Sequence, residues 1–136
     1  MTQEQKDLLL KDLCARLPYG IKVEYENEIF DVEYVCPMYE EVKLDIPETW
    51  TIDVSEVKPY LFPLSSMTEE QKHELNILSK KECEIIEDVV NNPTPSNVGF
   101  PVVVHYMIDW CSKNHFDYQG IIPMGLANDA TGKTIY

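Results

Sequence analysis

A chain of 136 residues is enough for one domain. Its 44% hydrophobic content supplies a core, and a charged fraction of 26% is ordinary for a globular protein, which excludes disorder for most of the chain. The net charge of −13 repels a phosphate backbone, so direct nucleic-acid binding is not expected.

The early apolar cluster Leu8-Leu9-Leu10 is too short for the apolar region of a secretory signal. The run from Val98 to Ile108 is broken by Gly99, Pro101 and His105, and nothing approaches the roughly 18 apolar residues of a membrane span. Cys14, Cys36, Cys83 and Cys111 have no paired spacing. Reduced thiols, a cytoplasmic location and no membrane partner are the expectations.

In chain order the pattern predicts a single α+β domain over residues 1–136. A helix over 1–17 opens with a capping box of Thr2 and Gln5 and carries Leu9, Leu10, Leu13 and Leu17 on one face. Pro18-Tyr19-Gly20 stops it, and the period then changes to two. Residues 21–54 read as a four-stranded antiparallel meander, either an open sheet or a small SH3-like barrel. Its inward residues are Ile21, Val23 and Tyr25; then, after a turn at Asn27-Glu28, Phe30, Val32, Tyr34 and Cys36; then Val42, Leu44 and Ile46; then Trp50, Ile52 and Val54. Residues 55–66, with Pro59 and Pro63, read as a packed connection. A second helix over 68–91 opens with a capping box of Thr68 and Gln71, Asn91 to Asn97 forms a loop, a third helix spans 101–115, and 116–136 is an irregular tail.

The acidity is uneven. Residues 21–58 hold eleven acids against Lys22, Lys43 and Lys58, and most of these acids fall on the solvent face of the strands. A solvated charged surface explains them. Tyr25, Phe30, Tyr34, Trp50 and Trp110 lie at core-facing periods and read as packing residues.

Several patterns suggest chemistry and fail on spacing. Gly132-Lys133-Thr134 resembles the end of a phosphate-binding loop, but six residues separate Gly125 from Gly132 where that loop has four, and no helix can follow. Cys111 and His115 lie four apart on one helical face, a spacing that permits a thiol–imidazole pair. A buried structural cysteine beside a helix-end histidine accounts for them equally well and is the reading adopted. His105, Cys111, His115 and Cys83 lack the short-range pairs usual in zinc sites, and His105 with Asp109 reads as an exposed pair one helical turn apart. Thus no catalytic residue, metal or cofactor is expected. Asn114, His115, Phe116, Asp117 and Tyr118 are polar and aromatic at a helix exit. They form either an interaction loop or a helix cap with Phe116 and Tyr118 packed inward.

Three stretches together carry a resemblance. They run from Met1-Thr2-Gln3-Glu4-Gln5 to Leu17-Pro18-Tyr19-Gly20, from Val57-Lys58-Pro59-Tyr60-Leu61-Phe62-Pro63 to Thr68, and from Asn114-His115-Phe116-Asp117-Tyr118-Gln119-Gly120 through Gly125-Leu126-Ala127 to Tyr136. In these stretches the chain resembles a widespread set of small uncharacterised proteins of gut Bacteroides species and their phages or prophages. The resemblance implies a cytoplasmic, mobile-element-associated protein. It implies no activity, so no functional residue is carried over.

The expectation is therefore a non-enzymatic accessory or interaction protein of phage or mobile-element origin, with a host or phage protein as its partner. One alternative is an acidic decoy that imitates DNA phosphates and occupies a DNA-binding protein. The other is a small enzyme with a site near Cys111 and His115.

Overall fold

The computed structural model describes residues 1–47, 50–75 and 99–136, with side chains from 105 onward in the last of these segments. The first helix, α1 (Gln3–Arg16), begins with the expected capping box: the Thr2 hydroxyl accepts from the Gln5 N–H, and the Gln5 side chain accepts from the Thr2 N–H. Leu9, Leu10 and Leu13 are buried at helical spacing, each contributing about 2 kcal/mol by leaving water. A turn of tighter helix at Leu17–Tyr19 ends at Gly20, whose φ of 80° lets the chain reverse into the sheet.

The sheet consists of β1 (Lys22–Tyr25), β2 (Glu28–Cys36), β3 (Glu41–Leu44), β4 (Ile52–Asp53), β5 (Lys58–Leu61) and β6 (Asn128–Asp129), in the order β4-β3-β2-β1-β5-β6. The first four strands form an antiparallel meander, β5 adds antiparallel to β1, and β6 adds parallel to β5. The architecture is thus α+β with a mixed six-stranded sheet, where a four-stranded antiparallel one was expected. The two additional strands lie in the stretches read as a connection and an irregular tail. In β5, Pro59, Tyr60 and Leu61 are all buried, and a strand covered on both faces shows a continuous apolar run instead of alternation. In β6, two residues are too few to show any period.

The expected alternation also fails inside β2. Val32 pairs with Leu44, but Tyr34 pairs with Lys43, so Glu33 is an extra residue in a β-bulge. Beyond it the inward parity flips: Val35 packs against the core while Tyr34 points out, 46% exposed. The hairpin before it turns at Glu26-Asn27, one residue earlier than expected, with both residues at positive φ.

One core lies between α1 and a face of the sheet, where Val23, Val42, Leu44, Ile52, Val54 and Leu61 are buried. Ile121, Leu126 and Ala127 close it. Beside it, α2 (described over 69–75) and α3 (Gly99–Lys113) flank a second cluster of Trp110, Cys111 and Phe116. The capping box at Thr68 and Gln71 is formed, while residues 76–91 of the expected second helix and the loop at 91–97 lie outside the described residues, as does Cys83. Among the described residues no helix is long and apolar enough to cross a membrane.

The junction between these bodies is ionic. Asp12 and Arg16 are 0% exposed, and the Arg16 Nε and Nη2 donate to the two Asp12 carboxylate oxygens at 2.8 and 3.0 Å. The same Nη2 donates to the Phe116 carbonyl at 2.8 Å, and Gln119 Nε2 donates to Asp12 Oδ1 at 3.2 Å. Burial raises the Asp12 carboxyl above its ordinary range, against the opposing pull of Arg16.

Two stability measurements follow. Arg16→Met strands a buried carboxylate and is expected to lower unfolding free energy in urea by about 3–5 kcal/mol, whereas Asp12→Leu combined with Arg16→Met recovers most of that loss. Glu26→Asn relieves a non-glycine residue at φ 49° and is expected to raise stability by about 0.5–1 kcal/mol in the same assay.

Candidate functional site

The exit of α3 gathers the residues singled out in the sequence. The Phe116 N–H donates to the Cys111 carbonyl at 2.9 Å and the His115 N–H donates to the Ser112 carbonyl, while His115 has φ 63°. This is a Schellman C-cap with His115 in the left-handed position usually held by glycine. Phe116 and Cys111 make the apolar contact that accompanies such a cap. Asn114 Nδ2 donates to the Trp110 carbonyl.

The chain then crosses to the sheet. The Phe62 N–H donates to the His115 carbonyl and the Asp117 N–H donates to the Phe62 carbonyl, both at 2.8 Å. Asp117, 6% exposed, accepts from the Ile121 and Ile122 N–H groups at 2.9 Å each. Phe116, 2% exposed, stacks on Trp110 with centroids 5.6 Å apart, and the Arg16 guanidinium lies 5.1 Å from the centre of the Tyr118 ring. Phe116 and Asp117 are thus buried and Asn114, His115 and Tyr118 half-buried, in a segment that caps α3 and receives Arg16.

Cys111 and His115 sit on either side of the cap hydrogen bonds, each in its own surroundings. Burial pushes the Cys111 thiol above its ordinary pKa, and the Arg16 charge only partly offsets this. The His115 imidazole stacks on Tyr136 with centroids 3.5 Å apart, and its Nδ1 is buried without a hydrogen-bond partner. Burial, assisted by the Arg16 charge, lowers its pKa to about 4. Both shifts favour the uncharged forms of the two groups. Tyr136 is itself held: its hydroxyl donates to the Tyr60 carbonyl at 2.8 Å and accepts from the Lys22 N–H at 3.2 Å, and burial of this end of the ring raises its pKa to about 12.

The remaining candidates are placed as follows. Asp109 accepts from the Tyr19 hydroxyl, tying α3 to the turn after α1, and His105 lies edge-on to Tyr106. Around Gly132 the backbone bends, Lys133 N–H donates to the Ala130 carbonyl, and the Lys133 ammonium lies 5.5 Å from the centre of the Tyr60 ring. Among the described residues no group of three or more His, Cys, Asp or Glu side chains is placed to hold a metal ion.

A different place on the sheet is open to solvent. A hollow of about 450 Å³ lies between the β1–β2 hairpin and the β3–β4 connection, lined by Tyr25, Glu26, Glu28, Phe30, Ile46, Pro47 and Trp50. Tyr25 and Phe30 are diagonal neighbours on the core face of the hairpin, with ring centroids 6.4 Å apart and planes tilted by 55°. Trp50, expected inside, is 59% exposed. The connection is braced from beneath by Lys43, whose ammonium donates to the Leu44 and Ile46 carbonyls at 2.6 and 3.3 Å. No spacing rule marks this site, because its two walls are brought together only by the pairing of β2 with β3. A second, apolar hollow of about 470 Å³ borders α3 at Cys111.

No family model, curated protein or solved structure matches this chain.

The buried histidine has a pH consequence. Its folded pKa lies below its unfolded value of 6.5, so below pH 6.5 the unfolded chain binds the extra proton and stability falls. The loss accumulates down to about pH 4. His115→Asn, which tolerates the left-handed position, is expected to flatten that slope in urea unfolding curves recorded between pH 7 and 4.

Proposed function

We propose that this chain is a non-enzymatic interaction protein, an accessory of a phage or other mobile element, acting in the cytoplasm by binding a host or phage protein through its surface. The observation that carries this reading is the distribution of side chains between inside and outside. Of the groups that could react, Cys111 is buried where it lines an apolar hollow, with its thiol pKa raised, and half-buried His115 is stacked on Tyr136 with its pKa lowered. Large apolar residues, Trp50, Tyr34, Met38 and Tyr39 among them, are exposed on a strongly acidic chain. Exposed aromatics are what protein interfaces enrich, and they cost solubility unless something covers them. The resemblance to proteins of gut Bacteroides species and their phages supports the setting.

Lysines interleaved with the acids weigh against a phosphate-imitating stripe. Lys22 pairs with Asp31, Lys6 with Glu40 and Asp53, and Lys43 lies 3.8 Å from Glu33.

Affinity capture from phage-carrying host cells, followed by gel filtration with the purified candidate, tests the proposal. The expected result is one stoichiometric protein partner that co-elutes equally well with the wild type and with Cys111→Ser. No partner, together with a turnover activity that Cys111→Ser abolishes, would replace this reading with the enzymatic one.

A further inference from the structure

We infer that the hollow between the β1–β2 hairpin and the β3–β4 connection is the recognition site, and that it takes a lysine or arginine side chain from a basic segment of the partner protein. This rests on the proposed binding function and adds the place and the chemistry. Three aromatic residues line the hollow: Tyr25 and Phe30, tilted against each other on the hairpin wall, and Trp50 on the other. A cation is drawn to aromatic faces within about 6 Å of a ring centre, and the attraction grows as water is excluded. Glu26 and Glu28 line the same hollow, and among the described residues no lysine or arginine does. Among the described residues, neither carboxylate has a cationic partner.

Two lysines of the meander are engaged elsewhere: Lys22 holds Asp31 at 2.9 Å and Lys43 holds the Leu44 and Ile46 carbonyls. The surrounding field has the same sign, since residues 21–58 carry eleven acids against three lysines. Such a field attracts and orients a basic partner and repels a phosphate or an acidic peptide. A second copy of this chain, also at −13, is repelled as well. A purely apolar ligand would leave Glu26 and Glu28 desolvated without a counter-charge. The two-residue turn at Glu26-Asn27 holds Glu26 and Glu28 at the end of the hairpin beside Tyr25.

The test uses the full chain with Trp110→Phe, so that fluorescence reports the exposed Trp50 alone, and two capped peptides of equal length, one rich in lysine and arginine and one rich in glutamate. Saturable quenching by the basic peptide and none by the acidic one is expected. Trp50→Ala, followed by calorimetry, should weaken binding at least about tenfold, and Glu26→Gln with Glu28→Gln by about tenfold with a shallower salt dependence. Glu69→Gln with Glu70→Gln, on α2, should leave binding unchanged; equal loss there would reduce the effect to general charge attraction and overturn the site. Unfolding midpoints of all variants, measured in parallel, separate lost binding from lost fold. If a captured partner binds Trp50→Ala as tightly as wild type, the site is overturned while the interaction function stands. If no partner is captured yet the basic peptide binds as expected, the recognition chemistry stands and the choice of a cellular protein partner does not.

Discussion

Arg16 carries a full charge where none of its surface meets water, and the geometry around it shows how that charge is tolerated. Its fork is met by both Asp12 oxygens, and a third hydrogen bond reaches across to the Phe116 carbonyl. Tyr118 offers its ring face, and Gln119 satisfies Asp12 from the opposite side. Asp12 and Arg16 are one turn apart, whereas Phe116, Tyr118 and Gln119 lie about a hundred positions away. Desolvating two ions is costly, so a buried pair is weak support for stability by itself. What it supplies here is position, because the hydrogen bonds of the pair beyond α1 are made only when the exit of α3 is in place.

The rest of the architecture depends on that junction. The Schellman cap presents the Phe116 carbonyl to Arg16, and the bridge to Phe62 fixes the cap against the end of β5. From there the 116–136 segment returns to the sheet, contributes Ile121, Leu126 and Ala127 to the core, and pairs as β6. His115 and Tyr136 stack over the same region, and the Tyr136 hydroxyl bridges β1 and β5 by contacting the backbone of Lys22 and Tyr60. The aromatic residues inside this junction hold it together, whereas those at the far end of the sheet face solvent.

What local pattern shows and what it hides divide along physical lines. The capping boxes at Thr2 and Thr68, the leucine face of α1 and the antiparallel meander follow from short-range rules and were legible. Tyr34 was not, because one extra residue at Glu33 flips the parity of everything after it, and nothing in strict alternation marks a bulge. Strand β5 was hidden by burial on both faces, and β6 by its length. The one-turn spacing of Asp12 and Arg16 carries no mark of their burial, which involves Phe116 and Gln119, about a hundred positions away and in no local window. At the α3 exit, the helix-cap alternative for Asn114 to Tyr118 described the observed arrangement, while the hollow beside Trp50 needed three-dimensional pairing to exist at all.

The burial of Arg16 is open to direct observation. Nuclear magnetic resonance of a ¹⁵N-labelled sample can follow exchange of the Arg16 Nε proton with water at neutral pH, since that proton is committed to Asp12 at 2.8 Å inside the junction. The account predicts a resolved resonance that exchanges orders of magnitude more slowly than free arginine and sharpens no further on cooling. An Arg16 Nε proton that exchanges like those of solvent-exposed arginine would contradict the buried junction and the arrangement built on it.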